Sequence, residues 1–535
     1  MTTPAEEPTL TDVFRPDAAL DRDLRRRIAS LVTTAGRPAA VATSSQLQLA
    51  QFFAADRLPE VGLPPASYVD SFLGCVLDHS VPVSSPRSLA TMSSVLPGAM
   101  PYLAALVTAM NQNLVKTEAS RAISLCETQV LQMLHALVFA GVARPPGTHA
   151  GDPPGLLTTG GTLANLTAMW CARNSLLAEG DGGAGIRRAG LAAALASRGA
   201  KGMSIIGPAS MHYSFDKAAD VLGLGSEGVI RVALDEHGRI RIDELDRALR
   251  RCRQQGQLVL AVVGVAGSTD CGAVDPLEAI ADRTEAADVA FHVDAAWGGP
   301  TLLSRRHGGM LLGIERADTV TLDGHKQLYA PVGVGMLLFR DAQRAEAIRH
   351  SADYALRQGS ADLGRYSMEG SRPGAAVLLH AALHLLGRRG YEAAVDQTIA
   401  RATDLARTVS ERPDFELLLP QQLNIVLYRY VPADLRGIPP AELSEQHLDR
   451  MDRLNEQIHK RQRAAGHALV SRTLWPTSPG VRAHTVLRAV LANPLTDPAD
   501  LDAVLEEQAA LGDALSGVRR DVSAIAATRS ALPDH

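Results

Sequence analysis

A lysine in unusual surroundings is the first residue of the sequence that could do chemistry. Lys326 ends the segment Thr321–Lys326 (TLDGHK), in which a strand-like apolar run gives way to small and polar residues. A lysine at the end of a strand, rather than on the face of a helix, is placed to act as an amine nucleophile. Taken alone, such a residue is more often a solvated or salt-bridged lysine, so the prediction depends on its companions.

A carboxylate follows a second strand-like run. Asp294 stands in the segment Val289–Gly299 (VAFHVDAAWGG), which continues into small residues that include Ala296. A carboxylate here can face the nitrogen of a pyridine ring and keep it protonated, so that the ring accepts the electron pair of a broken bond. The small Ala296 would let such a ring lie close to the backbone. The alternative reading is an aspartate that caps the next turn.

A glycine-rich segment opens an amphipathic helix. Gly160, Gly161 and Thr162 lie in the segment Leu156–Asn165 (LLTTGGTLAN). Free backbone N–H groups and the dipole at a helix start favour an anion such as a phosphate group. The spacing matches neither the GxGxxG fingerprint nor the GxxxxGK[ST] loop, which disfavours a nucleotide. Gly-Thr pairs also simply cap helices.

Two further polar positions follow strand-like runs. His212 stands in Met211–Ala219 (MHYSFDKAA), where its imidazole could stack on an aromatic ring and later move a proton, although a lone histidine is more often a packed or surface residue. Thr269 stands in Gly267–Gly272 (GSTDCG), a loop that offers hydroxyl groups to a ligand but also has a plain turn reading. Together with the lysine, the aspartate and the glycine-rich helix start, these positions form a far more specific pattern than any one alone.

The elements that must position these residues are short strands alternating with helices, from about residue 100 to 385. The strand-like runs are Met203–Ile206, Leu258–Val265, Val289–Val293, Thr319–Leu322 and Gly335–Phe339. This alternation, with few hairpin signals, predicts an α/β fold with a mostly parallel sheet covered on both faces. Ligands of such sheets bind beyond the carboxyl ends of the strands, which is where the polar residues cluster.

The pattern changes on either side of this region. Residues 1–100 are predicted to be an N-terminal helical segment, and residues 101–385 a large ligand-binding domain. Residues 386–535 have longer helical stretches, strand-like runs at Leu423–Tyr430 and Val486–Leu491, and a terminal helix from Pro498. These features predict a smaller C-terminal α+β domain.

Composition excludes several classes of function. The 535 residues are 46% hydrophobic with a net charge of −5, and no block of basic residues suggests a nucleic-acid or membrane surface. The longest apolar run, 258–266, is far shorter than the roughly 20 residues that span a bilayer. The acidic N-terminus and five cysteines without a CxxC pair predict a cytoplasmic protein with reduced thiols and no metal site.

In the order glycine-rich helix start, histidine, threonine loop, aspartate and lysine, the sequence resembles the group II pyridoxal 5'-phosphate (PLP) dependent amino acid decarboxylases. This family includes the glutamate, aromatic amino acid and aspartate decarboxylases, and the resemblance runs from about residue 85 to 494. It implies the fold of the type I PLP-dependent transferases, PLP as cofactor, and a homodimer with shared active sites.

The resemblance also implies a role for each residue. Lys326 looks like the Schiff-base lysine of the (D/S)xHK motif, Asp294 like the partner of the pyridine nitrogen, and His212 like the catalytic, ring-stacking histidine. The other cofactor contacts that it implies are Gly160, Gly161, Thr162, Thr269, Ala296 and His325.

Two residues on the substrate side complete the comparison with the family. Tyr354 matches a loop tyrosine that the neighbouring subunit contributes as general acid, and Arg488 in the segment Leu487–Pro494 (LRAVLANP) matches an arginine that binds a substrate carboxylate. For both, a packed aromatic or a structural salt bridge is the alternative. Ser85 and Pro86 stand where the family usually has His-Pro, which changes the polarity of the pocket wall.

Within the family, four segments look most like the bacterial PLP-dependent aspartate 1-decarboxylases, which make β-alanine: Asn111–Leu114, Gly324–Tyr329, Asp362–Gly374 and Leu423–Tyr430. The predicted reaction is therefore α-decarboxylation of an acidic amino acid, L-aspartate or L-glutamate. One alternative substrate is a substituted aspartate, or an aspartate attached to a carrier protein. Two alternative functions keep the fold, namely a decarboxylation-dependent amine oxidase and a non-catalytic binding protein.

Overall fold

The computed structural model describes residues 17–35, 46–142, 153–179, 185–352, 356, 362–476 and 482–517. In this part of the chain the strands are β1 (Ser88–Leu89), β2 (Gly155–Thr158), β3 (Gly202–Pro208), β4 (Val229–Val232), β5 (Gln257–Val265), β6 (Phe291–Asp294), β7 (Thr319–Asp323), β8 (Gly335–Phe339), β9 (Phe415–Leu417), β10 (Ile425–Tyr430), β11 (Leu469–Pro476) and β12 (Ala483–Val490). They form a seven-stranded sheet in the order β2-β8-β7-β6-β5-β3-β4 and a five-stranded sheet in the order β1-β11-β12-β10-β9.

The seven-stranded sheet is mostly parallel. The pairs from β7 through β6, β5 and β3 to β4 are all parallel, and only β8 runs against its two neighbours. The sequence predicted a mostly parallel central sheet, and this prediction is confirmed. Because the parallel strands point the same way, the loops after β3, β5, β6 and β7 all leave the sheet at one edge.

Both faces of this sheet are covered, which explains why its strands read as continuous apolar runs. Along β5, Val262 packs in the core on one face, whereas Ala261 and Val263 pack in the core on the other. This alternation follows from the two-residue period of a strand. The helices Ala122–Val138 and Leu277–Ala287 cover the first face, and Gly161–Leu176 and Ser214–Val221 cover the second.

The structure describes further α-helices besides these four. They are Ala18–Thr34, Gln46–Phe52, Pro65–His79, Met100–Met110, Thr117–Ser120, Ile186–Ala189, Leu191–Ser197, Ile242–Gln255, Ala376–Glu411, Glu445–Ala465 and Pro498–Leu515. The long helix Ala376–Glu411 has a kink at Gly387, whose φ is +59°, a conformation that glycine adopts without strain. Within the described ranges, no helix is both long and apolar enough to cross a membrane.

The five-stranded sheet has its own apolar core. Its antiparallel strands β10 and β12 contribute Val426, Tyr428, Leu487 and Ala489, which pack against the helices Glu445–Ala465 and Pro498–Leu515 and the second half of Ala376–Glu411. The helix at the end starts at the residue that the sequence predicted, and Asp497 caps it by accepting the N–H of Asp500 at 2.9 Å.

The N-terminal segment is hydrogen-bonded to this second sheet. The strand β1 pairs in parallel with β11, with Ser88 opposite Leu469. Asn493 donates to the carbonyl of Ser84 at 3.0 Å and Thr496 to that of Pro86 at 2.7 Å. Two residues are too few for a pattern of alternation, so the sequence analysis expected only helices in this segment.

Candidate active site

One cavity collects the polar residues that the sequence analysis singled out. Its volume is about 550 Å³, within the usual range for a small-molecule site. It lies beyond the ends of β2, β3, β5, β6 and β7, and its lining includes Gly160, Gly161, Thr162, His212, Thr269, Asp294, Ala296, His325 and Lys326. The structure therefore brings nine of the predicted site residues together around one space.

Lys326 lies in this cavity next to a buried carboxylate. Its Nζ is 3.0 Å from Oδ2 of Asp323, the last residue of β7. The lysine side chain is 19% exposed and that of Asp323 only 3%. Oδ1 of Asp323 has no hydrogen-bond partner in the described structure. The amine is therefore held as one half of an ion pair with a buried carboxylate.

His325 is oriented by the backbone of the neighbouring strand. Its Nδ1 is 2.8 Å from the carbonyl oxygen of Val334, which only accepts hydrogen bonds, so Nδ1 carries the proton. Nε2 is 3.8 Å from Oδ2 of Asp323. The ring is thereby fixed with Nε2 on the side of the Lys326 ion pair.

Asp294 is held at the end of β6 by two donors. Oδ1 accepts a hydrogen bond from the backbone N–H of Ala296 at 3.1 Å, and Oδ2 accepts one from Nδ2 of Asn165 at 2.9 Å. The residue is buried, yet it lines the cavity. Each oxygen keeps a second lone pair, so the carboxylate can accept one further hydrogen bond from a group in the cavity.

His212 is partly buried and lines the same cavity. The N–H of Ser214 donates to its Nδ1 at 3.2 Å. Burial lowers the pKa of the imidazole and the nearby Lys326 charge adds to this, while the Asp294 carboxylate acts in the opposite direction. Burial therefore disfavours the charged form of the imidazole, and the Ser214 N–H fixes its orientation.

The glycine-rich segment lies at the start of the helix Gly161–Leu176, where neighbouring side chains pack closely against the backbone. A Cβ on Gly161 would lie 2.9 Å from Oδ2 of Asp323 and 3.3 Å from Cβ of Ala296. The N–H groups of Leu163 and Ala164 bond back to the carbonyl of Gly160. The N–H groups before them, at the first positions of the helix, have no partner within the helix and can bind an anion.

Arg488, the predicted substrate ligand, lies behind the cavity wall rather than in it. Its Nε donates to the carbonyl of Thr269 at 2.8 Å, and one terminal nitrogen donates to Ser471 at 3.1 Å and to the carbonyl of Ala90 at 3.4 Å. The other terminal nitrogen has no partner in the described structure, although the residue is only 8% exposed. Burial lowers the pKa of this guanidinium to about 10.

Two other substrate-side residues need separate comment. Tyr354 lies outside the described residues, so its role stays a prediction. Ser85 is buried, and the neighbouring Arg87 forms an ion pair with Asp500 at 2.9 Å, which ties it to the terminal helix. The arginine that follows the unusual Ser-Pro pair is therefore engaged in joining two parts of the fold.

Several residues near the site had no role predicted from the sequence. Asn165 was quoted only as part of the helix start, and Asp323 only as part of the lysine motif. Glu369 was inside a segment used for comparison, and burial raises the pKa of its carboxyl group while the nearby Arg372 and Thr159 act in the opposite direction. A polar residue on the buried face of a helix, such as Asn165, is the signal that could have been noticed.

Comparison with known proteins identifies the family. The family described as "Pyridoxal-dependent decarboxylase conserved domain" matches residues 82–431, well over half of the chain. The chain belongs to this family. It is therefore a PLP-dependent carboxy-lyase that decarboxylates an amino acid, as the sequence predicted.

Individual relatives agree with this assignment. Aspartate 1-decarboxylase of Aliivibrio fischeri is 40% identical over 463 residues, which cover 85% of this chain and 85% of that protein. L-2,4-diaminobutyrate decarboxylase of Rhizobium meliloti is 35% identical over 385 residues, covering 71% and 72%. The crystal structure of mouse CSAD, 27% identical, superposes with a TM-score of 0.81 over 93% of this chain and 99% of that one. The fold is that of the type I PLP-dependent enzymes.

The residues around the cavity fit this cofactor. The Asp294 carboxylate, with a spare lone pair on each oxygen, suits the protonated nitrogen of a pyridine ring. The free N–H groups after Gly160 suit a phosphate group, and the small side chain of Ala296 leaves room for a flat ring. The Lys326 amine lies in the same cavity and is the only group of the predicted set that can bond to an aldehyde carbon through nitrogen.

Proposed function

We propose that this decarboxylase acts on an amino acid with an acidic side chain, L-aspartate to give β-alanine, or L-glutamate. The observation that supports this most directly is Arg488, a buried guanidinium that donates to the carbonyl of the cavity-lining Thr269 and has one terminal nitrogen without a partner among the described residues. A buried cation without an ionic partner is costly, and a substrate carboxylate would supply the missing charge. The similarity to the A. fischeri aspartate 1-decarboxylase supports the same substrate class.

In this proposal the predicted site residues divide into those that hold the cofactor and those that act on the substrate. Lys326 would hold PLP covalently, Asp294 would keep a proton on its ring nitrogen, and His212 would cover one face of the ring. Gly161 and Thr162 would bind its phosphate group through their N–H groups. When bound, PLP supplies the electron sink for the bond between Cα and the departing carboxylate.

Tyr354 is proposed to return a proton to Cα from the partner subunit of a homodimer. Two inactive variants can test this arrangement, because Lys326→Ala and Tyr354→Phe damage different parts of a shared site. Mixed dimers would contain one intact site and one doubly altered site. Activity that reappears on mixing the two unfolded and refolded variants supports the shared site, and its absence in dimers of verified mixed composition contradicts it.

The substrate is tested by measuring carbon dioxide and amine release from PLP-loaded enzyme. L-aspartate, L-glutamate, L-2,4-diaminobutyrate and an aromatic amino acid should be compared by kcat/KM. Turnover confined to the acidic substrates supports the proposal, and preference for L-2,4-diaminobutyrate or an aromatic substrate contradicts it. Oxygen consumption with aldehyde formation would instead indicate a decarboxylation-dependent amine oxidase. Failure of every free amino acid would indicate a substituted or carrier-bound aspartate.

The role of Arg488 can be isolated by one substitution with a matched control. Arg488→Met keeps the length of the side chain but removes its charge, and should lower kcat/KM for the acidic substrate roughly 30- to 1000-fold, the usual range for loss of a buried charged hydrogen bond. Arg472→Met is the control, because Arg472 lies on β11 of the same sheet and pairs with Glu456 near the surface. Equal effects of the two substitutions would contradict the proposal.

We also propose that the enzyme works in a reducing, cytoplasmic compartment. All five cysteines are free thiols, and burial raises the pKa of Cys171 and Cys271 to about 12, so these two are poor thiolates. Identical activity and melting temperature in the presence and absence of a thiol reductant would show that no disulfide is needed, and loss of activity on reduction would contradict the proposal.

A further inference from the structure

Asn165 occupies a central position in the wall of the cavity. It lies one turn into the helix Gly161–Leu176, is only 1% exposed, and uses its whole amide group. Its Nδ2 donates to Oδ2 of Asp294 at 2.9 Å and to Oγ of Ser214 at 3.0 Å. Its Oδ1 is 3.1 Å from Nε2 of His292. One side chain therefore joins three elements that are far apart in the sequence.

The identity of each partner fixes the protons of this network. An ionised carboxylate only accepts hydrogen bonds, so the amide nitrogen of Asn165 must face Asp294 and its oxygen must face His292. Nε2 of His292 must then be the donor. Burial lowers the pKa of His292 to about 4, so the ring is neutral and Nδ1 has no proton. Nδ1 accordingly accepts from the hydroxyl of Thr319 at 2.9 Å.

The second hydrogen of the Asn165 amide connects it, through Ser214, to His212. Ser214, which accepts it, also donates its backbone N–H to Nδ1 of His212 at 3.2 Å. The carboxylate proposed to meet the ring nitrogen and the histidine proposed to cover the ring are thus held by one amide group. Asn165 and His292 can therefore act through Asp294 and His212 without contacting the cofactor themselves.

We infer that Asn165 is a positioning residue that sets the Asp294 carboxylate and the His212 segment relative to each other, with His292 fixing the orientation of the amide. This inference rests on the proposed roles of Asp294 and His212. The Asn165 amide gives Asp294 a neutral donor, so the carboxylate keeps its full charge for the ring nitrogen. A charged donor at this position would neutralise it, and an acceptor would repel it.

Two substitutions of Asn165 separate positioning from general loss of stability. Asn165→Leu removes all three hydrogen bonds and keeps the branched shape of the side chain. Asn165→Asp keeps the size and the oxygen that faces His292, but places an acceptor against Asp294. Asn174→Leu is the matched control, because Asn174 is also buried on this helix and donates to the carbonyl of Ala347 at 2.9 Å, away from the cavity.

The first readout is the ¹⁵N chemical shift of the ring nitrogen in enzyme loaded with ¹⁵N-labelled PLP, which distinguishes a protonated from an unprotonated nitrogen. The second is the Kd of PLP, and the third is the ¹⁵N signal of His292 in apoenzyme labelled at histidine and assigned with His292→Gln. In the parent enzyme we expect a protonated ring nitrogen and a proton on Nε2 of His292. Asn165→Leu should lose ring protonation, and Asn165→Asp should shift the ring-nitrogen signal because it places a second carboxyl group beside Asp294. Both variants should weaken PLP binding roughly 10- to 100-fold, whereas Asn174→Leu should change neither readout.

The results distinguish this inference from the proposed function. A protonated ring nitrogen in the parent enzyme with an unchanged shift and Kd in both Asn165 variants would overturn the positioning role alone. A proton on Nδ1 rather than Nε2 of His292 in the apoenzyme would also overturn it, whatever the cofactor does. An unprotonated ring nitrogen in the parent enzyme would overturn the role of Asp294 itself, and with it the inference.

Discussion

Removing the Lys326 side chain should damage the protein in two separable ways. Lys326→Ala should abolish turnover, because no other amine of the site can hold the cofactor. It should also destabilise the apoenzyme, because Asp323 would be left as a buried carboxylate with no donor on either oxygen. The second effect does not depend on any assumption about the reaction.

The size of this second effect follows from the geometry. Opposite charges 3.0 Å apart attract by roughly 5 kcal/mol at an effective dielectric constant of about 20. The desolvation of both groups and the 19% exposure of Lys326 offset about half of this, leaving a net cost of about 2–3 kcal/mol. For a chain of 535 residues this corresponds to a fall in Tm of roughly 2–3 °C.

Scanning calorimetry of the apoenzyme measures the effect without a contribution from bound cofactor. Lys326→Ala combined with Asp323→Asn should recover most of the lost Tm but none of the activity, because the double variant no longer buries an unpaired charge. Lys201→Ala is the control, since Lys201 lies exposed at the start of β3, at the far edge of the sheet. The reasoning is refuted if Lys326→Ala keeps steady-state turnover, or if its Tm falls no further than that of the control.

Three further outcomes are expected elsewhere in the molecule. Gly161→Ala should weaken PLP binding at least about 10-fold, measured by titration, because its Cβ would lie 2.9 Å from a buried carboxylate oxygen, whereas Gly202→Ala, with open space at that position, should not. Glu127→Gln should lower the free energy of unfolding by about 3–5 kcal/mol in urea, because it leaves the buried guanidinium of Arg372 without its counter-ion, and unchanged stability would contradict a buried ion pair here. Burial raises the pKa of the Asp275 carboxyl from 3.8 to about 7, so the folded protein binds this proton more tightly than the unfolded chain does. The free energy of unfolding should therefore fall by up to about 4 kcal/mol as pH rises from about 4 to 7. Asp275→Asn should flatten this part of the profile of stability against pH, and an unaltered slope would disprove the assignment.

The sequence was informative wherever a strand ended in a polar residue. The runs before Asp294 and Lys326 are apolar because those strands are buried on both faces, so each change to polar residues marked the edge where a ligand binds. The glycine-rich helix start was equally visible, because close approach of the backbone requires small residues there. For these elements, a local pattern reflects a local physical need.

The hydrogen-bond partners of the buried polar residues were not predicted, because they depend on contacts between distant segments of the chain. Asn165 and Asp294 are 129 residues apart, and nothing in either local pattern shows that their side chains meet. The same holds for the Trp297 indole, which donates to Asn424 at 2.9 Å, also across two parts of the chain. A single sequence gives the periodicity of each element but not the packing of one element on another, which decides the partners of a buried polar group.

The pairing of the N-terminal strand β1 also has a consequence for how the protein is made. Asn493 reaches the carbonyl of Ser84 across 409 residues of sequence. At about 5–20 residues per second, synthesis takes roughly 20–80 s to cover that distance, and until then the segment around Ser84 has none of these partners. Such long-range contacts close late, because the chain entropy must be lost before they form.

The order of synthesis therefore sets the order in which the site is completed. A nascent chain that has reached β8 already contains every strand of the seven-stranded sheet, with the residues proposed to hold the cofactor. The hydrogen bond from Arg488 to the carbonyl of Ala90 joins a late segment of the chain to an early one. A chain truncated before residue 469 would thus contain every residue proposed to hold the cofactor but lack the arginine proposed to bind the substrate carboxylate.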